Sequence, residues 1–233
     1  QLAEAGLFRA LAILHEATIR DEYVVWRGEI LTAETLRGEV DAEIARRGGT
    51  ASHTITAPGP QSADCHMAGT GPVRAHQPIV LDIFPRVDRT GYHGDLTRTV
   101  VKGKAEPVVR RAYEVVREAQ RKAIAAVAAG VTGKHIHQLV VDTIAAAEFP
   151  TDAKANPPRG FFHGTGHGLG LEVHEAPRVS LGYDLPLVPG HVVTIEPGVY
   201  YPEWGGVRLE DVVVVRQGGC DNLTTAPFEL EIP

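Results

Sequence analysis

Two pairs of amphipathic helices alternate along the chain with two groups of strand segments, and this order constrains the fold more than any other feature. Helical periodicity predicts helices over residues 3–19, 33–47, 107–129 and 134–148. Runs of β-forming residues predict strands over 79–84, 92–101, 171–174, 192–196 and 207–215. This order indicates an α+β fold, with helices covering one face of an antiparallel sheet. No change of composition divides the 233 residues, so residues 1–233 are predicted to form one domain.

Four carboxylates lie in or beside the predicted strands. Asp82 and Asp95 are 13 residues apart across one candidate hairpin, and Glu196 and Glu210 are 14 apart across another. Residues directly opposite each other on adjacent strands are roughly 5 Å apart, so the acids of each pair would repel. A single acid of this kind is ordinarily explained by the exposed face of a strand. For four converging acids, a divalent cation is the ordinary compensation.

Three histidines, His163, His167 and His174, lie within or beside a glycine-rich segment. The first two have the HxxxH spacing of a helical zinc pair, but Gly164 and Gly166 disfavour a helix and the HExxH glutamate is missing. A phosphate-binding loop is also disfavoured because no GK[ST] follows, and no dinucleotide fingerprint indicates an organic cofactor. The glycines more simply let the backbone approach a crowded centre. One histidine with four carboxylates is an oxygen-rich set that favours Mn²⁺, Co²⁺ or Fe²⁺ over a cysteine-bound structural zinc.

Composition and charge exclude several classes of protein. The formal net charge is -6 and the pI about 6.0, which argues against binding to nucleic acid. No apolar stretch is long enough to predict a membrane span, and no secretion signal is visible. Cys65 and Cys220 are too few for a disulfide framework, so a reducing compartment, the cytoplasm, is expected.

Five segments together resemble one known family, the pita-bread metallopeptidases of the creatinase/aminopeptidase fold. The segments are His163-Gly-Thr-Gly-His167, Leu171-Glu-Val-His174-Glu, Thr194-Ile-Glu196-Pro-Gly-Val-Tyr, Gly206-Val-Arg208-Leu-Glu210-Asp and Gly91-Tyr-His-Gly-Asp95-Leu-Thr-Arg-Thr. Within the family, the chain is most similar to the Xaa-Pro branch, aminopeptidase P and prolidase. The resemblance implies a curved antiparallel sheet covered by helices, with a pseudo-two-fold repeat.

The resemblance also implies a dinuclear metal centre. In the implied arrangement, Asp82 chelates one cation, Asp95 and Glu210 bridge both, and His167 and Glu196 complete the other. Glu196 would also serve as general base, and His174 would help to stabilise the oxyanion. His163 or His66 would orient substrate or deliver a proton to the leaving nitrogen, and Arg208 matches an arginine typical of the Xaa-Pro branch. Two divalent ions are expected, Mn²⁺ first, with Co²⁺, Zn²⁺ or Fe²⁺ as alternatives.

The activity implied by the resemblance is hydrolysis of the Xaa-Pro bond at the N-terminus of peptides or dipeptides. A methionine aminopeptidase is an alternative that shares the five ligands but lacks the Arg208-Leu-Glu-Asp pattern. A non-catalytic peptide-binding module on the same fold typically has lost the ligands, and a creatinase-like amidinohydrolase works without metal. A small peptide is therefore the expected partner, with neither nucleic acid nor membrane, and a homodimer is one expected assembly.

Three features depart from the family pattern. The loop between Asp82 and Asp95 is about two residues longer than usual, a change that keeps the parity of strand pairing. Cys65 precedes His66 where the family usually has proline. The N-terminal domain that the Xaa-Pro branch usually carries is absent from this chain, and that domain often shapes the substrate pocket and the dimer.

Overall fold

Four α-helices lie in two consecutive pairs in the computed structural model, which describes all residues 1–233. The first pair is α1 (Leu2–Glu16) with α2 (Ala33–Arg46), and the second is α3 (Pro107–Ala126) with α4 (Gly133–Ala146). The second helix of each pair begins with a threonine cap, because the Thr32 and Thr132 hydroxyls accept backbone N–H groups three residues on. None of the four helices combines the length and the apolar composition that a membrane crossing requires.

The strands of the first half form three sheets, and one of them, called here the first sheet, carries Asp82. In chain order they are β1 (Thr18–Arg20), β2 (Tyr23–Trp26), β3 (Glu29–Ile30), β4 (Gly49–Thr50), β5 (Ile55–Pro58), β6 (Pro78–Asp82), β7 (Arg86–Val87) and β8 (Thr97–Lys102). The apolar run of β6 lies between β5 and β8, antiparallel to both. A short 3-10 helix, Gly59–Ala63, follows β5. The other strands form a β1-β2-β3 sheet and a β4-β7 pair.

The second half forms a five-stranded antiparallel sheet in the order β10-β9-β11-β14-β15. Its strands and the remaining ones are β9 (Gly166–Gly168), β10 (Glu175–Val179), β11 (Val192–Ile195), β12 (Gly198–Tyr201), β13 (Gly205–Arg208), β14 (Asp211–Arg216), β15 (Gly219–Asn222) and β16 (Glu231–Ile232). β12 and β13 form a two-stranded sheet, and Tyr200 of β12 also bridges to Gly160. β16 returns to the first sheet, where it pairs with β8 in the parallel sense.

Two separate hydrophobic cores support the two sheets. The first core joins α1 and α2 to β6 and β8, through residues such as Leu36 and Ile79. The second joins α3 and α4 to β11 and β14, through residues such as Val140 and Val193. A helix pair, a sheet and a core therefore recur in each half, and the predicted α+β class, with helices packed on antiparallel strands, is confirmed.

Two of the helices, α1 and α3, end three residues earlier than predicted. α1 ends at Glu16 rather than near residue 19, because Thr18 and Ile19 pair with β2 instead. β-branched residues pack readily into a strand, which offsets the helical periodicity there. α3 ends at Ala126 and does not continue to Gly130, because Val127 adopts an extended backbone conformation.

The strands of the last third differ more from the prediction. The strand predicted near 171–174 is wrong, because these residues form the turn between β9 and β10. The single strand predicted over 207–215 is divided into β13 and β14, which are separated by Leu209 and Glu210. The segment between β11 and β14 is therefore a hairpin of its own, β12–β13, rather than a simple turn.

Candidate metal centre

One cavity of about 770 Å³ is lined by all nine residues that the sequence singled out. His66, Asp82 and Asp95 come from the first half of the chain, and the other six residues come from the second half. The cavity is lined by His66, Asp82, Asp95, His163, His167, His174, Glu196, Arg208 and Glu210, together with apolar side chains that include Ile55, Phe84 and Val173.

The register of the first sheet sets the positions of the two aspartates. Asp82 is the last residue of β6, and its partner on β8 is Thr97. The expectation that Asp82 lies directly opposite Asp95 is therefore wrong by two residues, because β8 begins at Thr97 and Asp95 precedes it. The Thr97 hydroxyl donates a hydrogen bond to Glu210 Oε2 at 2.7 Å, which connects this edge of the first sheet to the second half.

The second sheet places Glu196 and Glu210 side by side. The last pair between β11 and β14 joins Ile195 to Asp211, so Glu196 and Glu210 are the next residues beyond it. The Glu210 backbone N–H donates to Thr97 O at 3.0 Å. Both glutamates thus leave the ends of paired strands and enter the same cavity.

Glycine allows β9 to carry His167 into this crowded region. A Cβ atom on Gly166 would lie 1.9 Å from Thr194 O of β11, and one on Gly168 would lie 2.3 Å from Ala176 O of β10. Real Cβ atoms never approach backbone that closely, so only glycine fits at either position. Gly166 and Gly168 therefore have the role predicted for the glycines, because they let the backbone approach its neighbours closely.

The hydrogen bonds of His167 fix the tautomer of its ring. Nδ1 lies 3.1 Å from Gly168 O, a pure acceptor, so Nδ1 carries the proton. Burial lowers the pKa of His167 to about 4, so the ring is neutral and Nε2 is a bare acceptor. Nε2 lies 3.4 Å from Glu196 Oε1 and 3.7 Å from Asp95 Oδ2. An acceptor that faces two carboxylates requires a cation or a proton between them.

The buried carboxylates repel one another. Burial, followed by the charges of Asp82 and Glu196, raises the pKa of Asp95 well above its usual range. Burial, followed by the charge of Asp95, does the same to Glu210. Burial raises the pKa of Glu196 to about 7. Asp95, His167 and Glu210 each offer one ligand atom, and these atoms all lie within 4.8 Å of one another. This donor set fits a hard divalent cation.

Asp82 presents a second feature that fits a cation. Its Oδ2 accepts a hydrogen bond from Arg208 Nη2 at 2.7 Å, whereas its Oδ1 is buried without any partner. A buried carboxylate oxygen without a partner is costly unless a metal or a donor satisfies it. Asp82 is not part of the group formed by Asp95, His167 and Glu210. The hydrogen bond from Arg208 orients the Asp82 carboxylate beside that group.

A directed chain of hydrogen bonds runs from Arg208 to His163. Arg208 Nη1 donates to the Tyr200 hydroxyl at 2.9 Å, and the Tyr200 hydroxyl lies 2.8 Å from His163 Nε2. His163 Nδ1 donates to Gly164 O at 2.7 Å. Burial, with the charge of Arg208, lowers the pKa of His163 to about 3, so the ring is neutral and Nε2 accepts the tyrosine proton. Both ring nitrogens of His163 are therefore already engaged.

The other two predicted histidines differ in their surroundings. The His174 ring meets the His167 ring edge-on with centroids 4.3 Å apart, and burial lowers the pKa of His174. His66 is exposed at the mouth of the cavity, next to Cys65. The His174 ring thus lines the cavity with both nitrogens open, whereas His66 Nδ1 contacts Cys65 Sγ at 3.7 Å and its Nε2 is open.

Three polar residues of the site were missed by the sequence analysis. Tyr200, Thr97 and Thr194 lie within the segments that resemble the family but carry no predicted role. Thr194 Oγ1 accepts the His167 backbone N–H at 3.1 Å. Each threonine lies two positions from a predicted carboxylate, Asp95 or Glu196, and residues two apart in a strand share a face. That spacing was the signal available in the sequence.

Residues 5–217 match the model of metallopeptidase family M24, and the chain belongs to this family. An Xaa-Pro dipeptidase of Pyrococcus furiosus is 36% identical over 178 residues, which cover 76% of this chain and 48% of that protein. An Xaa-Pro dipeptidase of Lactobacillus helveticus is 34% identical over 206 residues, covering 87% and 53%. The chain thus spans about half the length of the curated relatives it matches.

A solved structure of an Xaa-Pro dipeptidase from Bacillus anthracis superposes on the whole chain. The TM-score is 0.85 at 30% sequence identity, and the match covers 100% of this chain and 60% of that one. The predicted pita-bread fold is therefore confirmed, as is the resemblance to the Xaa-Pro branch.

Proposed function

We propose that residues 1–233 form the catalytic domain of a dinuclear, metal-dependent peptidase that hydrolyses the Xaa-Pro bond at the N-terminus of peptides or dipeptides. One observation carries the proposal. Neutral His167 turns its bare Nε2 toward Glu196 Oε1, 3.4 Å away, and Asp95 Oδ2, 3.7 Å away, inside the cavity. Membership of the M24 family and similarity to proteins named Xaa-Pro dipeptidase support the choice of reaction.

The proposed ligands divide between the two halves of the fold. Asp82 would chelate one cation, Asp95 and Glu210 would bridge both, and His167 and Glu196 would complete the other. The unpartnered Oδ1 of Asp82 and the mutual proximity of Asp95, His167 and Glu210 support this division. Carboxylate oxygens outnumber the single imidazole, so Mn²⁺ is the preferred occupant, with Co²⁺, Zn²⁺ or Fe²⁺ as alternatives.

Glu196 is the proposed general base. When bound, divalent cations activate a water as nucleophile at neutral pH and polarise the carbonyl of the substrate. Glu196 would accept the proton of that water on its carboxylate. His174, which lines the same cavity, would donate a hydrogen bond to the developing oxyanion.

The cavity also suits the bond before a proline. The positive amino group of the residue ahead of the proline would be drawn to the acidic centre. Ile55, Phe84 and Val173 give the cavity an apolar wall that can accept a rigid proline ring. Arg208 donates to Asp82, Tyr200 and Thr97, so its proposed contribution is to orient Asp82.

When the C–N bond of an Xaa-Pro amide breaks, the proline nitrogen must gain one proton to leave as an amine, as the leaving nitrogen of any amide must. His163 is poorly suited to deliver it, since its Nδ1 donates to Gly164 O and its Nε2 accepts from Tyr200. His66 lines the cavity and is exposed at its mouth, so it is the better candidate of the two. His163 would then act by orienting Tyr200 and the wall of the cavity.

The remaining expectations belong to the same proposal. A small peptide is the proposed partner, and a homodimer in the cytoplasm is the proposed state. Two free cysteines, neither in a disulfide, support a reducing compartment. Size-exclusion chromatography with light scattering tests the dimer directly.

A rate comparison tests the proposed function. With Mn²⁺ saturating, Ala-Pro and Ala-Pro-Ala should be cleaved faster than Met-Ala-Ser, and chelator should abolish cleavage until Mn²⁺ is restored. Faster release of methionine would assign the chain to the methionine aminopeptidase alternative. Bound metal without cleavage of any of the three peptides would instead favour the non-catalytic peptide-binding module.

A further inference from the structure

We propose that Asp64, Cys65 and His66 form a second metal site, at the mouth of the cavity, for a thiophilic divalent cation such as Zn²⁺ or Cd²⁺. The three side chains each offer one ligand atom, and these atoms all lie within 4.8 Å of one another. They share no residue with the group formed by Asp95, His167 and Glu210. Cys65 and His66 line the cavity.

The separation of the sulfur and nitrogen donors matches a bound zinc ion. Cys65 Sγ lies 3.7 Å from His66 Nδ1. Zinc binds thiolate sulfur at about 2.3 Å and imidazole nitrogen at about 2.0 Å, and a tetrahedral angle between those bonds puts the two donors about 3.5 Å apart. The site therefore needs almost no movement of these two side chains to accept the ion.

The backbone holds the three residues in a tight turn after the 3-10 helix Gly59–Ala63. Asp64 Oδ1 accepts the His66 backbone N–H at 3.0 Å, and the Met67 N–H donates to Asp64 O at 3.1 Å. The bond to His66 uses one oxygen of Asp64, and one of its carboxylate oxygens lies within 4.8 Å of the Cys65 and His66 ligand atoms. Three protein ligands leave a fourth tetrahedral position for water from the cavity.

The two donor sets select different cations. A thiolate and an imidazole favour soft or borderline ions, whereas the buried carboxylates of the metal centre favour hard ions. Binding at Cys65 displaces the thiol proton to solvent, because the thiolate is the ligand. Cys65 replaces the proline that the resemblance leads one to expect there, so this donor set is a property of the present chain.

Occupation of the second site should slow the peptidase, a consequence that rests on the proposed function. The cation would bind Nδ1 of His66 and so hold the ring at the second site. His66 is the residue proposed to protonate the leaving nitrogen of the substrate. Zn²⁺ or Cd²⁺ added to Mn²⁺-loaded protein is therefore expected to inhibit.

Titration with Co²⁺ tests the binding without any assay of activity. Cobalt bound to thiolate has a near-ultraviolet charge-transfer band that carboxylate and histidine ligands do not give. One equivalent of this band per chain is expected, competed away by Zn²⁺, lost in Cys65→Ser and retained in Cys220→Ser. Cys220 is the matched control, since it is a half-buried thiol outside any such group. Absence of the band, or its persistence in Cys65→Ser, would overturn the proposal.

A second pair of variants tests the oxygen ligand and the inhibition. Asp64→Asn keeps an acceptor for the His66 N–H but removes the charge, and it should raise the Co²⁺ concentration at half-titration by about 10-fold. The same variant should need more Zn²⁺ for half-inhibition by a similar factor. An unchanged Co²⁺ midpoint would exclude Asp64 from the site. A protein that shows the band but cleaves no peptide would retain the second site and reject only the proposed function.

Discussion

His163 and His167 show how the surroundings of one nitrogen can separate the roles of two similar residues. Both rings are neutral, and in both Nδ1 donates to the backbone carbonyl of the following glycine. The difference lies at Nε2. His163 meets the hydroxyl of Tyr200 there, whereas His167 meets carboxylates. A hydroxyl supplies its own proton, but carboxylates do not, so His167 is the one prepared for a cation.

Glu196→Gln and His167→Ala should fail in different ways. Glu196→Gln removes the proposed base without changing its size, so kcat should fall by at least about 10²-fold at any Mn²⁺ concentration. His167→Ala should raise the Mn²⁺ concentration for half-maximal activity by at least about 10-fold, with part of the rate recovered in excess metal. Steady-state kinetics over a Mn²⁺ series separate the two outcomes. Near wild-type turnover in Glu196→Gln would remove it from the role of base.

Tyr200→Phe should lower both stability and rate. Loss of the hydroxyl leaves His163 Nε2 and Arg208 Nη1 without a buried partner, which costs about 1–3 kcal/mol of unfolding free energy. Arg208 also orients Asp82, so kcat/KM for Ala-Pro should fall. Denaturant unfolding and steady-state kinetics measure the two effects.

Tyr201→Phe is the matched control for that experiment. The Tyr201 hydroxyl donates to Pro150 O at 2.8 Å, away from the residues that line the cavity. Loss of this hydroxyl should lower the free energy of unfolding and leave kcat/KM unchanged. Equal kinetic effects of the two variants would contradict a specific role for the Tyr200 hydroxyl.

The shortest strand of the second sheet controls the position of His167. β9 spans Gly166–Gly168 and lies between β10 and β11. Its two glycines remove the side chains that would otherwise hold the neighbouring strands apart. A strand of this composition has no β-forming signal, which is why the sequence predicted a strand after the glycines and not among them. The local sequence pattern carries no information about the close contact of β9 with β10 and β11, which is what makes these residues a strand.

Gly166→Ala should disturb the metal centre through β9. The added Cβ would lie 1.9 Å from Thr194 O, and this backbone cannot move without shifting β11 and Glu196 with it. A loss of roughly 1–3 kcal/mol in unfolding free energy is expected, with weaker Mn²⁺ binding. Calorimetric melting and Mn²⁺ titration provide the measurements.

Gly38→Ala gives the control for glycine substitution as such. Gly38 is exposed in α2, and its new Cβ would meet nothing within 4 Å. Because alanine is the better helix former, this variant should gain about 0.5–1 kcal/mol and bind Mn²⁺ normally. A Gly166→Ala protein that also gained stability would refute the packing argument.

Over the whole molecule, the sequence predicted features that depend on neighbouring residues better than features that depend on residues far apart in the chain. The helix pairs were visible because Leu36, Val40 and Ile44 recur at helical spacing, and all three are buried. The set of residues in the cavity was predictable from motifs. The register of Asp82 with Thr97 and the insertion of β12–β13 were not, because strand pairing is decided by contacts across the sheet. The direction of each hydrogen bond also required the coordinates of both partners.

The metal-free protein should lose stability as the pH rises from about 6.5 to 8. The folded-state pKa is about 7 for Glu196 and is raised well above its usual range for Asp95 and Glu210. In this window the folded chain therefore holds more protons than the unfolded one, so a rise in pH favours unfolding. The buried histidines do not oppose this, since above their unperturbed pKa of about 6.5 they are neutral in both states.

Saturating Mn²⁺ should abolish this pH dependence. Bound cations compensate the carboxylate charges, so the melting temperature with Mn²⁺ should be higher than without it, by a margin that grows with pH. Differential scanning calorimetry of chelated and Mn²⁺-loaded protein at several pH values makes the comparison. A melting temperature of the chelated protein that rises across this window would contradict the arrangement.

The division of the donors between the two cores makes a bound cation a reversible cross-link. The hydrogen bond from Thr97 to Glu210 already joins residues 113 positions apart, and a cation shared by Asp95 and Glu210 would close nearly the same loop. A disulfide stabilises by restricting the unfolded chain, whereas this cation would be released on unfolding and would stabilise the folded state by binding to it alone. Unlike a disulfide, this link depends on the free concentration of the ion. On the proposed function, the supply of divalent cation would set how long a molecule stays folded as well as how fast it works.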